Sequence, residues 1–375
     1  MNLDRIGPKW IEIDLDQLQI NFNNLKALSP TGKVIPSIKA NAYGLGAVPI
    51  ARTLEQCGCE LLAVATLNEA IELRENFIKC GILVFGEIPQ NELQDIVNYQ
   101  LTPTICDLEH AKHLNLLSKQ QGVKTSYHYY VDTGMGRMGY DPDKSITILN
   151  EILNYSNLKC EGIYSHFPVS DETDEASRAF TLEQIKTFKA MRGSLSLQTT
   201  WHMANSGACL QHPESYLDAL RPGLFLYGVN PNPEIQHQIQ NKPILSIKCR
   251  PLFMKKMLKG QSVGYGRNKI LERDQLIATL PVGYADGIPR LMADHMYVRY
   301  REKKLPLQGR ICMDMLMIAM SEGILEQDPV LTLMGDNGPS IYDWASWSQS
   351  IPYEVMTRFG PRWQYVYKKS GDIFV

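Results

Sequence analysis

LLAVATLNEAIELRENFIKCGILVFGEIPQNELQDIVNYQLTPTICDLEHAKHLNLL, residues 61–117, contains the pattern that decides the fold. A short apolar run, a turn and a stretch with apolar residues three and four positions apart follow one another three times. The run is typical of a buried strand, and the stretch is typical of an amphipathic helix. The alternation continues on both sides, with apolar runs beginning near Val34, Leu61, Ile82, Thr102, Thr125, Leu158, Thr200 and Gly223.

The number of these units favours an α/β protein with a TIM-type (β/α)8 barrel. A doubly wound open sheet usually has about five to seven strands, whereas the barrel needs eight, each followed by a helix. The residues WIEIDLDQL (10–18) have strand character but come before the barrel begins. Residues 1–15 are therefore a candidate to pair with a second domain.

A second, mainly β domain is predicted after the barrel. Beyond residue 243 the chain changes to short alternating runs and tight turns, as in LIATLPVGY (276–284), with one weak helix around residues 342–349. The polar segment 230–243, rich in Pro and Asn, has neither period and is the expected linker. We therefore predict a barrel domain over residues 1–240 and a C-terminal β domain over residues 241–375.

The composition excludes several classes of protein. Thirty-eight Lys and Arg face 40 Asp and Glu, a net charge of -2 that provides no field to attract nucleic acid. No apolar stretch is long enough to cross a membrane, and the first residues lack the pattern of a signal peptide, so we expect a cytoplasmic protein without a membrane partner. The eight cysteines form no CxxC pair. Cys57 and Cys59 are expected to be free thiols, and no metal site is predicted.

Lys39 is the first candidate for chemistry, because it ends the apolar run VIPSIKA (34–40). Reactive groups of a barrel lie where strands end and βα loops begin. A lysine there loses hydration, which lowers its pKa and makes the neutral amine a nucleophile. From its position alone, a lysine that only reaches from a strand edge into solvent is an equally simple interpretation.

Other strand ends carry further polar groups. These are DTGMGRMG (132–139), SHF (165–167), HMANSG (202–207) and RPGLFLYG (221–228). Each has an ordinary explanation, such as a core histidine or a helix cap. Together they bring lysine, arginine, histidine and serine to one face of the barrel beside Gly-bearing loops whose N–H groups suit a phosphate. This convergence favours a phosphate-bearing carbonyl cofactor.

Seven motifs in this order resemble those of the alanine racemases. They span essentially the whole chain, and seven ordered motifs are far more specific than one Gly-rich loop. The family uses pyridoxal 5'-phosphate (PLP) on a barrel joined to a C-terminal β domain. The motifs are SIKANAYGLG (37–46), VDTGMGRMGY (131–140), HMANSG, RPGLFLYG, VGYGR (263–267), PVGYADG (281–287) and GRICMDM (309–315).

The resemblance implies a role for each matching residue. Lys39 would hold PLP covalently and act as the base on one face of the substrate Cα, and Tyr265 of the partner subunit would act on the other face. Catalysis would then require a head-to-tail homodimer with shared active sites. The remaining assignments are cofactor binding by Tyr43, His166, Ser206, Arg221, Gly223 and Leu224, substrate binding by Arg137 and Met313, and support by His202, Tyr284 and Tyr130.

Two positions depart from the family pattern. Many members have a carbamylated lysine that steadies the carboxylate-binding arginine, and here that position is Tyr130. Tyr130 is expected either to bond Arg137 directly or to leave room for a bound anion. An entrance tyrosine of the family falls on Pro361. Serine as a second substrate is therefore a hypothesis.

The resemblance implies a PLP-dependent isomerase that interconverts L- and D-alanine and supplies D-alanine for peptidoglycan. One alternative is a serine or broad-specificity racemase. A decarboxylase of basic amino acids would need a Cys and an acidic residue that are not found beside GRICMDM. The other alternative is a non-catalytic PLP-binding protein, which the β domain carrying Tyr265 argues against.

Overall fold

The computed structural model describes residues 6–320 and 329–375, which fall into two compact units. The barrel unit comprises Leu18–Ala42 and Gly46–Lys242, and the β unit comprises the chain up to Gln17, Tyr43–Leu45 and the chain from Pro243 onward. The first five residues of the opening segment lie outside the described part. Within that part, none of the helices combines the length and apolar character that a bilayer crossing requires.

The barrel unit contains a sheet of six parallel strands that follow one another in sequence order. Their apolar runs are buried, as a sheet covered by helices requires. The first strand of the chain, β1, belongs to the β unit. The strands to this point are β1 (Lys9–Asp14), β2 (Leu61–Val64), β3 (Gly81–Val84), β4 (Thr102–Ile105), β5 (Thr125–Tyr130), β6 (Leu158–Tyr164) and β7 (Thr200–His202).

Two short segments close the barrel between β7 and β2. Parallel bridges join His202 to Ala219, Leu220 to Val34, and Ser37 to Ala63. The eightfold barrel predicted from the alternation is therefore confirmed. The predicted start of the eighth strand near Gly223 is wrong, because an apolar run without alternation does not separate a strand from a helical turn. The residues after Gly223 form a 3-10 turn, Leu224–Tyr227.

The helices between the strands begin at residues suited to cap them. Thr66 and Glu69 form a capping box at α4, and Asp107, Asp141 and Asp174 accept backbone N–H groups at the starts of α6, α7 and α8. The helices are α1 (Leu15–Leu28), α2 (Lys39–Gly44), α3 (Ala47–Gln56), α4 (Leu67–Glu75), α5 (Leu93–Asn98), α6 (Leu108–Gln120), α7 (Pro142–Ile152), α8 (Glu175–Ser194) and α9 (Ser206–Gln211).

The β unit is built on a seven-stranded sheet in the order β14-β13-β16-β8-β1-β17-β18, with smaller sheets β15-β12-β9 and β10-β11. The opening strand β1 runs antiparallel to β8 and parallel to β17. The elements are β8 (Leu245–Cys249), β9 (Phe253–Met257), β10 (Ser262–Val263), β11 (Lys269–Ile270), β12 (Gln275–Leu280), β13 (Tyr297–Tyr300), β14 (Lys303–Pro306), β15 (Leu316–Met320), β16 (Leu331–Met334), α10 (Ile341–Trp347), α11 (Pro352–Thr357), β17 (Gln364–Lys369) and β18 (Asp372–Phe374).

Glu12 joins three adjacent strands of this sheet, β8, β1 and β17. Its Oε2 lies 2.8 Å from Nζ of Lys248 on β8 and 2.6 Å from Nζ of Lys368 on β17. Its Oε1 accepts the indole N–H of Trp10 at 2.9 Å. Burial opposes the charged carboxylate, but the two lysines outweigh it and hold the pKa of Glu12 below its ordinary value of 4.5.

Replacing the carboxylate should destabilise the β unit in a pH-dependent way. Glu12→Gln removes the carboxylate partner of Lys368 and leaves Lys248 only its pair with Asp336 at 2.9 Å, so we expect a loss of about 2 kcal/mol in the free energy of unfolding at pH 7. Because the folded pKa is depressed, the wild-type advantage is present above pH 4.5 and is lost as the pH falls through the folded pKa. Urea unfolding at pH 7 and pH 3.5 measures it.

Glu183→Gln is the control, because its pair with Lys186 at 3.3 Å is exposed. It should change the free energy of unfolding by less than about 0.5 kcal/mol. An equal loss in both variants at pH 7 would contradict the assignment.

Candidate active site

The strand ends predicted to carry chemistry meet at one end of the barrel unit. Lys39 follows the first strand segment of the barrel, which is bridged at Val34 and Ser37. The other groups also lie at or after strand ends: Arg137 in the loop after β5, His166 after β6, His202 at the end of β7 and Arg221 after the eighth strand of the barrel. All are at the carboxyl ends of the barrel strands, the face where barrel enzymes place their chemistry. The barrel topology therefore brings together groups from five separate parts of the sequence.

Lys39 is half-buried and carries a perturbed amine. Burial is the largest cause that lowers its pKa, followed by the cations of Arg137 and Arg221, while Glu69 opposes the shift. A smaller proton affinity raises the share of neutral, nucleophilic amine near neutral pH. These surroundings fit the reactive lysine better than a lysine that only reaches into solvent.

The backbone after Lys39 turns in the left-handed sense. Residues 40–43 all have φ between 52° and 55°, although none is glycine. A left-handed turn of L-residues costs roughly 1–2 kcal/mol per residue, so other contacts must stabilise it. Glu69 contributes, because its Oε1 accepts the Ala40 N–H while its Oε2 accepts the Ala65 N–H at 2.8 Å. The prediction missed Glu69, whose capping-box spacing Thr66-x-x-Glu69 was the available signal.

Arg221 is buried inside the barrel, with 4% of its surface exposed. Its Nη2 donates to the Ser165 carbonyl at 2.7 Å and to Nδ1 of His166 at 2.9 Å, and its Nη1 donates to Nδ1 of His202 at 2.9 Å. The guanidinium also lies over the ring of Tyr164, 5.1 Å from its centroid. Burial lowers the pKa of Arg221 to about 10, which leaves it charged at neutral pH.

The two histidines bonded to Arg221 are held neutral. Burial is the main cause that keeps the pKa of His166 and of His202 well below the ordinary range. The Arg221 cation acts in the same direction on both rings, because a second positive charge beside a guanidinium is unfavourable. Neutral rings can accept the N–H groups of Arg221.

Ser206 and the backbone after Arg221 form a small cradle. The Ser206 Oγ accepts the N–H groups of Gly223 at 3.0 Å and Phe225 at 3.2 Å. Leu224 is the first residue of its 3-10 turn, so its N–H has no partner inside the turn. The cap of α9 is Asn205, whose side chain accepts the Ala208 N–H. Ser206 is therefore not needed to cap α9, and its hydroxyl hydrogen remains for another acceptor.

Arg137 lies in a loop that Asp132 shapes. One carboxylate, Asp132, accepts the N–H groups of Gly134 at 2.9 Å, Met135 at 2.8 Å and Gly136 at 3.0 Å. This arrangement is an extended Asx turn, which Asp and Gly favour. It ends beside Arg137, whose side chain is exposed at the barrel mouth. Asp132 was quoted in the motif but not predicted as a site residue.

Arg137 lies close enough to Tyr130 to act on its hydroxyl, and a direct hydrogen bond between the two side chains stays one of two expectations. The Tyr130 Oη is buried. Burial raises the pKa of the Tyr130 hydroxyl, and the nearby Arg137 cation opposes the shift. A buried hydroxyl near a cation suits either expectation, a direct bond to Arg137 or a bound anion between the two side chains.

Three predicted residues lie in the β unit, and the structure brings two of them together. Tyr284 N–H donates to the Cys312 carbonyl, and Ala285 N–H donates to the Met313 carbonyl, both at 3.0 Å. Tyr265 follows Gly264, which has a φ of 72°. The side chains of Tyr265, Tyr284 and Met313 are 70%, 42% and 52% exposed. Together they give this unit exposed aromatic and sulfur-containing groups.

Tyr43 and Pro361 also lie in the β unit as the structure divides the chain. The Tyr43 ring is buried, and its centroid lies 6.2 Å from that of Tyr353. Pro361 is exposed, and the next residue holds its loop: Arg362 pairs with Asp286 at 3.2 Å and with Asp314 at 2.7 Å.

The groups of the barrel unit fit a phosphorylated pyridine aldehyde. Lys39 provides an amine for the carbonyl carbon, and Arg221 provides N–H groups from which a ring nitrogen can accept a hydrogen bond. Ser206 Oγ already accepts two N–H groups, so its own hydrogen can be donated to a phosphate, as can the Leu224 N–H.

A barrel with a desolvated lysine at its mouth, followed by a β unit, defines a class of two-domain barrel enzymes that use the lysine amine. Two family models match the chain, the alanine racemase N-terminal domain over residues 13–231 and the alanine racemase C-terminal domain over residues 244–367. The chain therefore belongs to the alanine racemase family. It is an enzyme of the isomerase class, as its motifs predicted.

Individual relatives agree with the family models. The chain is 36% identical to alanine racemase 1 of Clostridium acetobutylicum over 98% of this chain and 97% of that protein. It is 37% identical to the alanine racemase of Halothermothrix orenii, covering 98% and 99% of the two chains.

Solved structures give the same result. The alanine racemase of Clostridium difficile 630 superposes with a TM-score of 0.92 at 31% identity, over 98% of each chain. That of Bartonella henselae, described with covalently bound pyridoxal phosphate, has a TM-score of 0.85 at 26% identity, covering 96% of this chain and 100% of that one.

Removing the Asp132 carboxylate should loosen the Arg137 loop without unfolding the barrel. In Asp132→Ala three N–H groups lose a charged acceptor, so we expect their amides to exchange with deuterium roughly tenfold faster. Hydrogen exchange read by mass spectrometry over residues 132–140 measures this. Asp141→Ala, which removes the cap of α7, is the control and should speed exchange at residues 143–145 instead. Unchanged exchange of residues 134–136 would refute the assignment.

Proposed function

We propose that the chain interconverts L-alanine and D-alanine with PLP bound to Lys39. The observation that carries this proposal is the position of a half-buried Lys39 at the carboxyl end of the first barrel strand, where burial and the Arg137 and Arg221 cations lower the pKa of its amine. Such an amine suits both covalent attachment of a carbonyl cofactor and proton transfer near neutral pH. Membership of the alanine racemase family supports the same reaction.

The barrel residues divide the work between the two ends of the cofactor. When bound, PLP withdraws electron density from the Cα of the attached amino acid, which makes its proton acidic. Ser206, Leu224 and Gly223 would bind the phosphate, although the Gly223 N–H is donated to Ser206 Oγ in this structure. His166 and His202 would hold Arg221 against the ring nitrogen.

Arg221 suits racemisation because it keeps its proton. With a pKa of about 10, it donates a hydrogen bond to the ring nitrogen without protonating it at neutral pH. The ring is then a weaker electron sink than it would be opposite a carboxylate, which favours removal and return of the Cα proton over elimination or transamination.

Two bases on opposite faces of the substrate are required to invert Cα. Lys39 would take or return the proton of the D-isomer, and Tyr265 of the partner subunit would take or return that of the L-isomer. Arg137 would hold the substrate carboxylate together with the backbone N–H of Met313 of the partner subunit; in this chain the Met313 N–H donates to no acceptor among residues 6–320 and 329–375. Binding at the carboxylate fixes Cα between the two bases.

A head-to-tail homodimer with shared sites is part of the proposal. The exposure of Tyr265, at 70%, and of Met313, at 52%, supports it, because exposed apolar groups of this size mark interaction surfaces. Tyr284 would line the entrance to the partner's barrel. In the cell, we place the enzyme in the cytoplasm, where D-alanine would serve peptidoglycan synthesis.

Mixing two inactive variants tests both the reaction and the shared site. Lys39→Ala and Tyr265→Ala should each be inactive alone. Hybrid dimers contain one complete site, so a statistical mixture should recover about a quarter of wild-type activity. The assay is exchange of the alanine Cα proton in heavy water by NMR, with D-amino acid oxidase to detect the product.

Lys39→Ala mixed with Arg137→Ala is the matched control. Both residues belong to one barrel, so hybrids contain no complete site and should stay inactive. No recovery with Tyr265→Ala would contradict the shared site. A wild-type protein that binds PLP at Lys39 but exchanges no Cα proton would indicate the carrier protein instead.

Serine is the second substrate that one observation favours, because an exposed proline stands at Pro361 where the family has an entrance tyrosine. Pro361→Tyr should reduce kcat/KM for L-serine relative to L-alanine by about tenfold, as the added ring excludes the larger side chain. Parallel kinetics with both substrates measure the ratio. Pro361→Ala should leave the ratio within about twofold of wild type. Equal ratios in the two variants would remove Pro361 from substrate selection.

A further inference from the structure

A third histidine, His128, lies behind the Arg221 and His202 pair. It is on β5 and is 2% exposed, and its Nδ1 lies 2.9 Å from Nε2 of His202. His202 in turn has its Nδ1 2.9 Å from Nη1 of Arg221. The three side chains form one continuous hydrogen-bonded row through the interior of the barrel.

Elementary donor and acceptor rules give this row a single direction. A guanidinium can only donate, so Nδ1 of His202 must accept. A neutral imidazole then carries its hydrogen on Nε2 and donates it to Nδ1 of His128. His128 must therefore carry its own hydrogen on Nε2. The argument requires both rings to be neutral.

Burial makes both rings neutral. It lowers the pKa of His128 to about 4, with Glu161 opposing the shift and Arg221 adding to it. Burial, His128 and Arg221 together keep the pKa of His202 well below its ordinary range. At neutral pH neither ring has a second hydrogen that could face another donor.

The sequence leaves room for the His128 ring. A Cβ at Gly162 on β6 would lie 2.5 Å from ring atoms of His128. The register between β5 and β6 shifts between Tyr127 and His128, so Gly162 rather than Glu161 lies opposite the histidine. Any other residue at 162 would displace the ring from His202.

His202 needs an orienting partner of this kind. Its ring stacks on that of Tyr164, with centroids 5.0 Å apart and planes 4° from parallel, which fixes the plane but not the tautomer. In the other tautomer the His202 Nδ1–H would face the Nη1–H of Arg221, donor against donor. Arg221 disfavours that tautomer at Nδ1, and an acceptor at Nε2 disfavours it at the other ring nitrogen.

The row ends at the opposite end of the barrel from the proposed cofactor. His128 lines a cavity of about 910 Å3 together with Lys33, Glu60, Thr102 and Thr200, which lie at the amino ends of strands. Since Nδ1 of His128 is occupied by His202, Nε2–H is the ring group left for an acceptor on that side. The interior of the barrel is thus polar from one end to the other along this row.

We propose that His128 is a positioning residue, which accepts the His202 Nε2–H and so, together with the Arg221 donor at Nδ1, fixes the tautomer that holds Arg221. Its effect on catalysis rests on the proposed function, in which Arg221 meets the cofactor ring. The tautomer itself does not depend on that function. The two can therefore be tested separately.

The direct test is 15N NMR of the PLP-loaded protein labelled at histidine, at pH 7. Wild type should show His128 and His202 as neutral rings protonated at Nε2. His128→Phe should give His202 a mixture of tautomers, and His128→Gln, whose carbonyl oxygen can accept, should restore the Nε2–H form. An imidazolium or an Nδ1–H ring at either position in wild type would overturn the proposal.

Kinetics test the consequence. In His128→Phe we expect kcat for alanine to fall about tenfold or more, with KM within about twofold, while His128→Gln recovers most of the loss. The absorption spectrum of bound PLP should differ from that of wild type more in His128→Phe than in His128→Gln. His212→Phe, a buried histidine outside the row, is the control for general destabilisation and should keep wild-type kcat. Equal losses in the Phe and Gln variants would overturn the proposal.

If the wild type shows no racemisation, the proposed function fails. The NMR result still decides the role of His128.

Discussion

The burial of one guanidinium organises the interior of the barrel. Arg221 is almost fully enclosed and still charged, so each N–H that it directs inward must find an acceptor. The acceptors are the rings of His166 and His202, the Ser165 carbonyl and, at 3.5 Å, the Met203 carbonyl. These rings can accept only while they are neutral, and the same burial that would penalise the arginine keeps them neutral. The charge and the neutral rings therefore depend on one another.

The reactive lysine is a consequence of the same charge distribution. Partial loss of water and, after it, two nearby cations oppose the protonation of Lys39, and Glu69 limits the lowering of its pKa. Glu69 also secures the left-handed backbone that follows the lysine. The Glu69 carboxylate thus limits the lowering of the Lys39 pKa and holds the backbone that positions the amine. The strained turn is retained where the chemistry is proposed, as strained backbone often is in enzymes.

The β unit is organised around a different buried charge. Glu12 on β1 binds lysines from both neighbouring strands, which ties the start of the chain to a sheet formed mostly after residue 243. Elsewhere this unit exposes Tyr265, Tyr284 and Met313 on irregular segments. A stable sheet that carries exposed aromatic groups is suited to cover another surface, which is the role that the proposed dimer gives it.

The sequence by itself determined the fold class and most of the residues of the candidate site. Strand and helix periodicity is local, so eight alternating units predicted the barrel, and ordered motifs identified Lys39, Arg137 and Arg221. Only the tertiary structure placed the eighth strand at Ala219 and Leu220, because two bridges to distant strands define it. The partners of Arg221, the cradle at Ser206 and the row ending at His128 are contacts between residues far apart in the chain. No local pattern encodes such contacts, since a barrel brings separate strand ends together only when it closes.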